Sequence, residues 1–451
     1  MHKAGVGMGV LLVALSASAA PHPGDINDSY GYTGGVRHAK LGALQAMGQA
    51  KGAKGQLGTA GYFRVRGELD KSSEAARQCL SSVADEPAAS VKGVAYLCAS
   101  TLAGNALLQG DIAGWARQMQ TVRGLFDRDV RPLLTGPAAS AYVVEVMAPS
   151  FERFVEWPRS ALAVAAPPAD VSVPIQLQNE LPTINLQVRT ASGERDLRVH
   201  LDTGAARSRI GRRLATELGL ALTEGFIAAD TQGKQRFALA APVDLAIGEL
   251  DVRQVSFEVL GEDDLPRIGL DVLRALGRVR INKDALAVQA TATPVPCTRR
   301  MATVSTLWGG AYEMRYPIRS GKESVLIRVD TGFNGAFQPR GIMPNPPPTQ
   351  VQRRKNIITT NGAEDVQYVE ASTPVMIGDE VLNLPVDLTL VPGELFNPDW
   401  RAGFAGTQRY SFYMDVASSY GCPVPVPQAP LLPPRPQAPP PAPAVPAPPQ
   451  G

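Results

Sequence analysis

Two aspartates stand in matching settings: Asp202 within residues 197–210 (LRVHLDTGAARSRI) and Asp330 within residues 325–337 (VLIRVDTGFNGAF). Each opens the same tripeptide, Asp202-Thr203-Gly204 and Asp330-Thr331-Gly332. Two carboxylates held a few ångströms apart cannot both ionise, so they share one proton. The charged one can then act as general base on a water while the protonated one acts as general acid on a carbonyl, with no covalent intermediate. The two pKa values belong to the pair and not to either residue. Chance supplies one such tripeptide in roughly one chain in ten of this length, and two in well under about one in a hundred.

The segments that must carry these aspartates are strands. Leu197, Val199 and Leu201 alternate into Asp202, and Val325, Ile327 and Val329 alternate into Asp330, the period of a half-buried strand. The surroundings repeat as well. Ile184, Leu186 and Val188 precede a turn at Ser192-Gly193, and Tyr312, Met314 and Tyr316 precede one at Ser320-Gly321. A hairpin follows each motif, with Gln232-Gly233 and Asn361-Gly362 at the tips. Then come Ile247-Gly248 and Ile377-Gly378. The aspartates are 128 residues apart (330 − 202) and the Ile-Gly pairs 130 apart (377 − 247), a shared spacing that points to an internal duplication.

The paired motifs resemble the aspartic protease superfamily, the pepsin and retropepsin group, over roughly residues 171–422. The resemblance implies a mainly β chain with two duplicated retropepsin-like β-barrel lobes of the acid protease fold, at 171–290 and 291–422. It implies an exported aspartic endopeptidase acting on a peptide or protein substrate, with Asp202 and Asp330 as the catalytic pair and no metal or other cofactor. Thr203 and Thr331 would bond across the two-fold, Gly204 and Gly332 would let the backbone approach the carboxylates, and Gly233 and Gly362 would tip two flaps. The family sets an apolar–Gly segment behind each loop. Ile268-Gly269 fits the first, and Ala405-Gly406 is the expected counterpart in the second. Ala205 after the first motif is common in the family. Phe333-Asn334-Gly335 stands where pepsins carry a small hydroxyl residue, which leaves a second reading: a protein that keeps the fold but binds or scaffolds peptides without turnover. His200, two residues before Asp202, is a candidate for tuning the site, set against the plainer reading of an ordinary strand residue.

The 451 residues exceed one ordinary domain. A net charge of +2 gives no electrostatic case for nucleic acid or a membrane surface. Residues 1–20 read as a secretory signal, with Lys3, a short apolar centre and Ala17-Ser18-Ala19, so the mature protein is expected in the periplasm or outside the cell. No other run is long enough to span a membrane. Residues 21–71, rich in Gly and Ala, are expected to be loose apart from a short helix within 40–51. Residues 72–160 have helical spacing, capped at Ser72 or Ser73 and at Asp111, and suggest a small helical domain, weakly repeat-like, that could hold a protein partner. Residues 161–170 read as an Ala/Pro linker. Residues 423–451, about half proline, read as a disordered tail, a spacer or partner ligand. A third reading takes everything before the linker as a prosegment covering the cleft. Cys79, Cys98, Cys297 and Cys422 are an even set suited to disulfides in an exported chain. Four cysteines allow three pairings, of which position favours Cys79–Cys98 and Cys297–Cys422. No zinc spacing occurs.

Overall fold

The computed structural model describes residues 31–86, 93–133, 150–159, 162–163, 167, 169–230, 233–320, 323–335, 337–338, 352–359, 362–377, 380–389, 400–408, 410–416 and 418–426. The expected signal at 1–20, Gln232, Asn361 and the rest of the expected tail from 427 lie outside them. The described chain is largely β, with a strongly curled sheet and a helical region at its N-terminal side.

Among the described residues six α-helices build that region: α1 (Tyr32–Arg37), α2 (Leu41–Gly48), α3 (Gly52–Val65), α4 (Leu69–Ala84), α5 (Val94–Leu108) and α6 (Ile112–Leu125). The first three occupy residues 21–71: α2 falls within the short helix expected at 40–51, while α1 and α3 lie in stretches expected to be loose. Glycines recur along α3 and permit close helix contact. A Cβ on Gly58 would lie 2.5 Å from the Gly48 backbone nitrogen of α2, and one on Gly61 would lie 2.6 Å from the Tyr32 ring of α1. Composition suggested flexibility, but packing decides helix formation here. Helix α5 is buried on nearly every side, as expected for an all-round apolar helix at the centre of a bundle. Asp111 caps α6, accepting the Gly114 amide at 2.8 Å. Ser72 is not a cap. It lies inside α4, where its hydroxyl donates to the Ala60 carbonyl at 2.8 Å and accepts from Asn105 at 2.9 Å.

Among the described residues the strands form three sheets. The first runs from Leu162–Ala163 through Leu250–Val255, Val243–Ile247, Leu181–Thr190, Gly193–Leu201, Arg267–Ile268, Arg209–Ile210 and Glu258–Val259 to the hairpin of Gly233–Ala240 and Leu222–Asp230. Its first strand lies in the expected linker, so part of 161–170 is pinned to the sheet, with Leu162 opposite Arg253. The second links the ends of both motif-bearing regions: Val171–Pro174, Ala285–Val288, Arg278–Ile281, Tyr410–Asp415 and Tyr420–Pro425. Arg278 and Asp415 pair across it at 2.9 Å. Pro423 and Pro425 belong to its edge strand, opposite Phe412 and Tyr410, which moves the start of the expected tail beyond 425. An edge strand can spare the missing amide. The third sheet contains Tyr312–Ser320, Glu323–Asp330, Trp400–Gly403, Phe337–Gln338 and the long hairpin of Gln352–Thr359 with Gly362–Ile377.

The helical region is packed onto the sheets. Trp115 and Phe154 of its core enclose Phe226 of the first hairpin, with ring centroids 5.0 and 5.8 Å away. Arg64, 1% exposed, reaches Ser305 Oγ at 2.9 Å, the Thr306 carbonyl at 2.6 Å and the Thr101 carbonyl at 3.3 Å. Burial lowers its pKa to about 10, and these acceptors satisfy the donors that burial strips of water. Two disulfides close the chain, Cys79–Cys98 between α4 and α5, and Cys297–Cys422 between the segment that joins the second sheet to the third and the edge strand Tyr420–Pro425 of the second. Among the described residues no helix is long and apolar enough to cross a membrane.

Candidate active site

Each aspartate is carried to its place by a strand that ends beside a short parallel neighbour. Leu201 stands opposite Ile268, and the Asp202 amide donates to the Ile268 carbonyl at 3.0 Å. Val329 stands opposite Ala402, and Asp330 opposite Gly403. The register therefore matches Ile268-Gly269 with Ala402-Gly403. Ala405-Gly406, the expected counterpart, lies one turn further on in a 3-10 helix, Phe404–Gln408. The next bonds agree. The Leu270 amide donates to the Ala205 carbonyl at 2.9 Å, and the Phe404 amide to the Phe333 carbonyl at 2.8 Å.

The two loops are locked to each other by a reciprocal set of four hydrogen bonds. The Thr203 amide donates to Thr331 Oγ1 and the Thr331 amide to Thr203 Oγ1, both at 3.0 Å. The Thr203 hydroxyl donates to the Val329 carbonyl at 2.9 Å, and the Thr331 hydroxyl to the Leu201 carbonyl at 2.6 Å. Both threonines are buried. Each hydroxyl thus pairs one backbone donor and one acceptor that would otherwise be buried without a partner.

This lock brings the carboxylates together. Asp202 Oδ1 accepts the amides of Gly204 at 2.9 Å and Ala205 at 3.1 Å. The Asp330 carboxylate lies against Gly204 so closely that a Cβ there would collide with it, and the Asp202 carboxylate lies against Gly332 in the same way. Glycine is required by contact at both places. Both aspartates are buried. Burial, followed by the neighbouring Asp202 charge, raises the Asp330 pKa, while Arg328 and Arg401 pull it down. A buried pair of this kind can hold one proton between its members.

Three arginines beside the pair were not singled out from the sequence. Arg267 Nη1 lies 3.4 Å from Asp202 Oδ2, Arg328 Nη2 lies 3.2 Å from Asp330 Oδ2, and Arg401 Nη1 lies 3.9 Å from the same oxygen. The signal was the strand period, since Arg328 precedes Asp330 by two and so shares its face. His200 holds the corresponding place before Asp202. It is buried and bonded to the backbone of Pro182. Its pKa is lowered mainly by burial, against the pull of Asp202.

Phe333 is fully buried. Gly335 and Gly403 leave room for its ring, since a Cβ on either would collide with it. The Arg401 guanidinium covers its face, 3.8 Å from the centroid. Asn334 ties the second loop to the long hairpin, with its amide on the Ile358 carbonyl at 3.1 Å and its Oδ1 accepting the Ile358 amide at 3.0 Å. Gly233 and Gly362 pair with Asp230 and Thr359 at the ends of their hairpins, and the rest of each tip lies outside the described residues. The structure thus gathers Asp202, Thr203, Gly204, Asp330, Thr331 and Gly332 in one place and leaves the cysteines away from it.

Two cavities lie among the described residues, neither of them lined by Asp202 or Asp330. One of about 210 Å³ lies behind the first loop, between Leu108, Arg207, Asp271 and Tyr312. A groove of about 760 Å³ runs past His200, Arg198 and Leu265. Among the described residues no cluster of three or more His, Cys, Asp or Glu is placed to hold a metal ion.

No protein-family model matches the chain, and no curated protein matches it in sequence. Among solved structures, it is similar to an aspartic proteinase from Irpex lacteus at 14% identity and a TM-score of 0.35, over 57% of this chain and 97% of that one.

Proposed function

We propose that the chain is an exported aspartic endopeptidase in which Asp202 and Asp330 activate a water between two duplicated, retropepsin-like lobes. The observation that carries this reading is the reciprocal lock: two Asp-Thr-Gly loops joined by four matching hydrogen bonds, each glycine pressed against the other loop's carboxylate. In the working form the pair holds one proton. On this reading Asp330 carries it as general acid, and Asp202, which accepts the Gly204 and Ala205 amides, is the base. Asp202 takes a proton from water as the oxygen attacks the scissile carbonyl carbon, and Asp330 protonates the carbonyl oxygen. The resulting diol collapses as protonated Asp202 gives its proton to the amide nitrogen, the C–N bond breaks and Asp330 takes back a proton from a diol hydroxyl, which restores the pair. The hairpins ending near Gly233 and Gly362 serve as flaps that grip the substrate backbone and exclude water. The signal at 1–20 and the two disulfides support an exported, oxidising location.

One observation favours the alternative, a peptide-binding or scaffold protein. Three arginines at the carboxylates stabilise a doubly ionised pair, which cannot supply the acid. The two readings separate in one experiment. The mature protein is incubated with a mixed peptide library from about pH 3 to about pH 7.5, with and without a statine-type transition-state mimic. Cleavage suppressed by the mimic supports the peptidase. Peptide binding with no cleavage at any pH supports the scaffold.

A further inference from the structure

Arg328 is shared between the two loops. Its Nη2 lies 3.2 Å from Asp330 Oδ2 and donates to the carbonyl of Gly204, in the opposite loop, at 3.2 Å. Its Nη1 lies 3.2 Å from Glu313 Oε1, and the side chain is buried. The matching place before Asp202 is held by His200, and a cation reaches Asp202 from the neighbouring strand, through Arg267. The loops are already joined by their threonines, so this guanidinium adds charge where alignment is provided for.

We infer that Arg328 is a positioning residue that sets the pH at which Asp330 releases its proton, and so, on the reading of the pair as catalytic, the pH window of the reaction. The charged groups facing Asp330 come from four elements. Arg328 is on its own strand, Arg401 on Trp400–Gly403 at 3.9 Å, Asp202 in the opposite loop, and Glu313, with its partner Arg315, on Tyr312–Ser320. Arg401 is farther from the carboxylate and is engaged on the Phe333 ring. Arg328 is therefore the stronger influence. A cation in contact with a carboxylate lowers its pKa by about one to three units. Its removal moves both limbs of the activity profile to higher pH.

The test uses the full mature chain as wild type, Arg328→Met, Arg328→Lys, Arg401→Met and Asp330→Asn. Peptide cleavage and thermal midpoint are both followed from about pH 3 to about pH 8, which brackets a carboxylate pair. Arg328→Met moves the profile up by about one to three pH units, Arg401→Met moves it less in the same direction, and Arg328→Lys leaves it near wild type. A profile that keeps its position in Arg328→Met while the rate falls at every pH overturns the inference. So does an equal shift in Arg328→Lys. If Arg328→Met does not fold, Glu313→Gln probes the same charges from the other side: it moves the profile down, and an unmoved or raised profile overturns the inference. A wild type that cleaves nothing overturns the catalytic reading alone. The inference is then decided by the midpoint difference between each protein and its Asp330→Asn counterpart, whose inflection must move to higher pH when Arg328 is lost.

Discussion

Replacing Thr331 with valine keeps the shape of the side chain and removes only its hydroxyl. Two hydrogen bonds go with it, from the Thr203 amide at 3.0 Å and to the Leu201 carbonyl at 2.6 Å. Both partners belong to a buried loop junction, where water cannot replace the lost oxygen. Leaving a buried donor or acceptor unpaired costs about 1–3 kcal/mol each, so the variant loses about 2–6 kcal/mol, with about 3 as the working figure. That is a large share of the roughly 5–15 kcal/mol by which a domain is stable. Thr331→Ser keeps the oxygen and gives up one methyl, for about 1 kcal/mol. Thr203→Val mirrors Thr331→Val, because its hydroxyl makes the same pair of contacts from the other side. Equilibrium denaturation under non-reducing conditions measures all three. The expected order is wild type, then Thr331→Ser, then the two valine variants close together. Thr331→Val as stable as Thr331→Ser would refute the argument, because the hydroxyl would then hold nothing.

Three further outcomes follow from the same geometry. Gly204→Ala places a methyl against the Asp330 carboxylate and Gly332→Ala one against Asp202; each abolishes peptide cleavage while far-ultraviolet circular dichroism stays that of wild type. Asp330 has a folded-state pKa raised by burial and by Asp202, so its contribution to stability is full below the ordinary carboxylate range and is lost as pH rises through the raised value; Asp330→Asn therefore gains in thermal midpoint over wild type on going from acid to neutral pH, and a difference that is flat with pH contradicts this. The Cys297–Cys422 bond spans 125 residues and Cys79–Cys98 spans 19; chain entropy makes them worth about 5 and about 3 kcal/mol, so the paired Ser variants shift denaturation midpoints in that order, and unfolded, unreduced wild type shows no thiol to a thiol reagent.

Much of the β part was legible because its strands bury one face. The alternation of Leu197, Val199 and Leu201 and that of Val325, Ile327 and Val329 each end on an aspartate in the sequence and in the structure. Helix α2 was legible as the short helix within 40–51, but α3 was not, because Gly55, Gly58 and Gly61 speak against a helix taken alone and for it only when α1 and α2 pack on them. The second apolar–Gly segment was misplaced although spacing leaned toward Ala402-Gly403: Gly269 lies 67 residues beyond Asp202 (269 − 202), Gly403 lies 73 beyond Asp330 (403 − 330) and Gly406 lies 76 (406 − 330); the parallel register fixes the choice. Phe333 read as a defect in the motif because the cleared space that receives it is made by Gly335, ordinary by itself, and by Gly403, distant in sequence. Arg328 was on the correct strand face by period, but the burial of all three arginines against the carboxylates depends on strands that meet only in the folded chain.

The central claim is that Asp202 and Asp330 act as one catalytic pair. Its most direct test is the cleavage rate of Asp202→Asn and Asp330→Asn on a peptide that the wild type cuts, measured on proteins with matching circular dichroism and cooperative unfolding. Each single variant is predicted to lose cleavage completely, and the double variant to be no worse than either. Wild-type cleavage by either single variant, with its fold intact, would contradict the account.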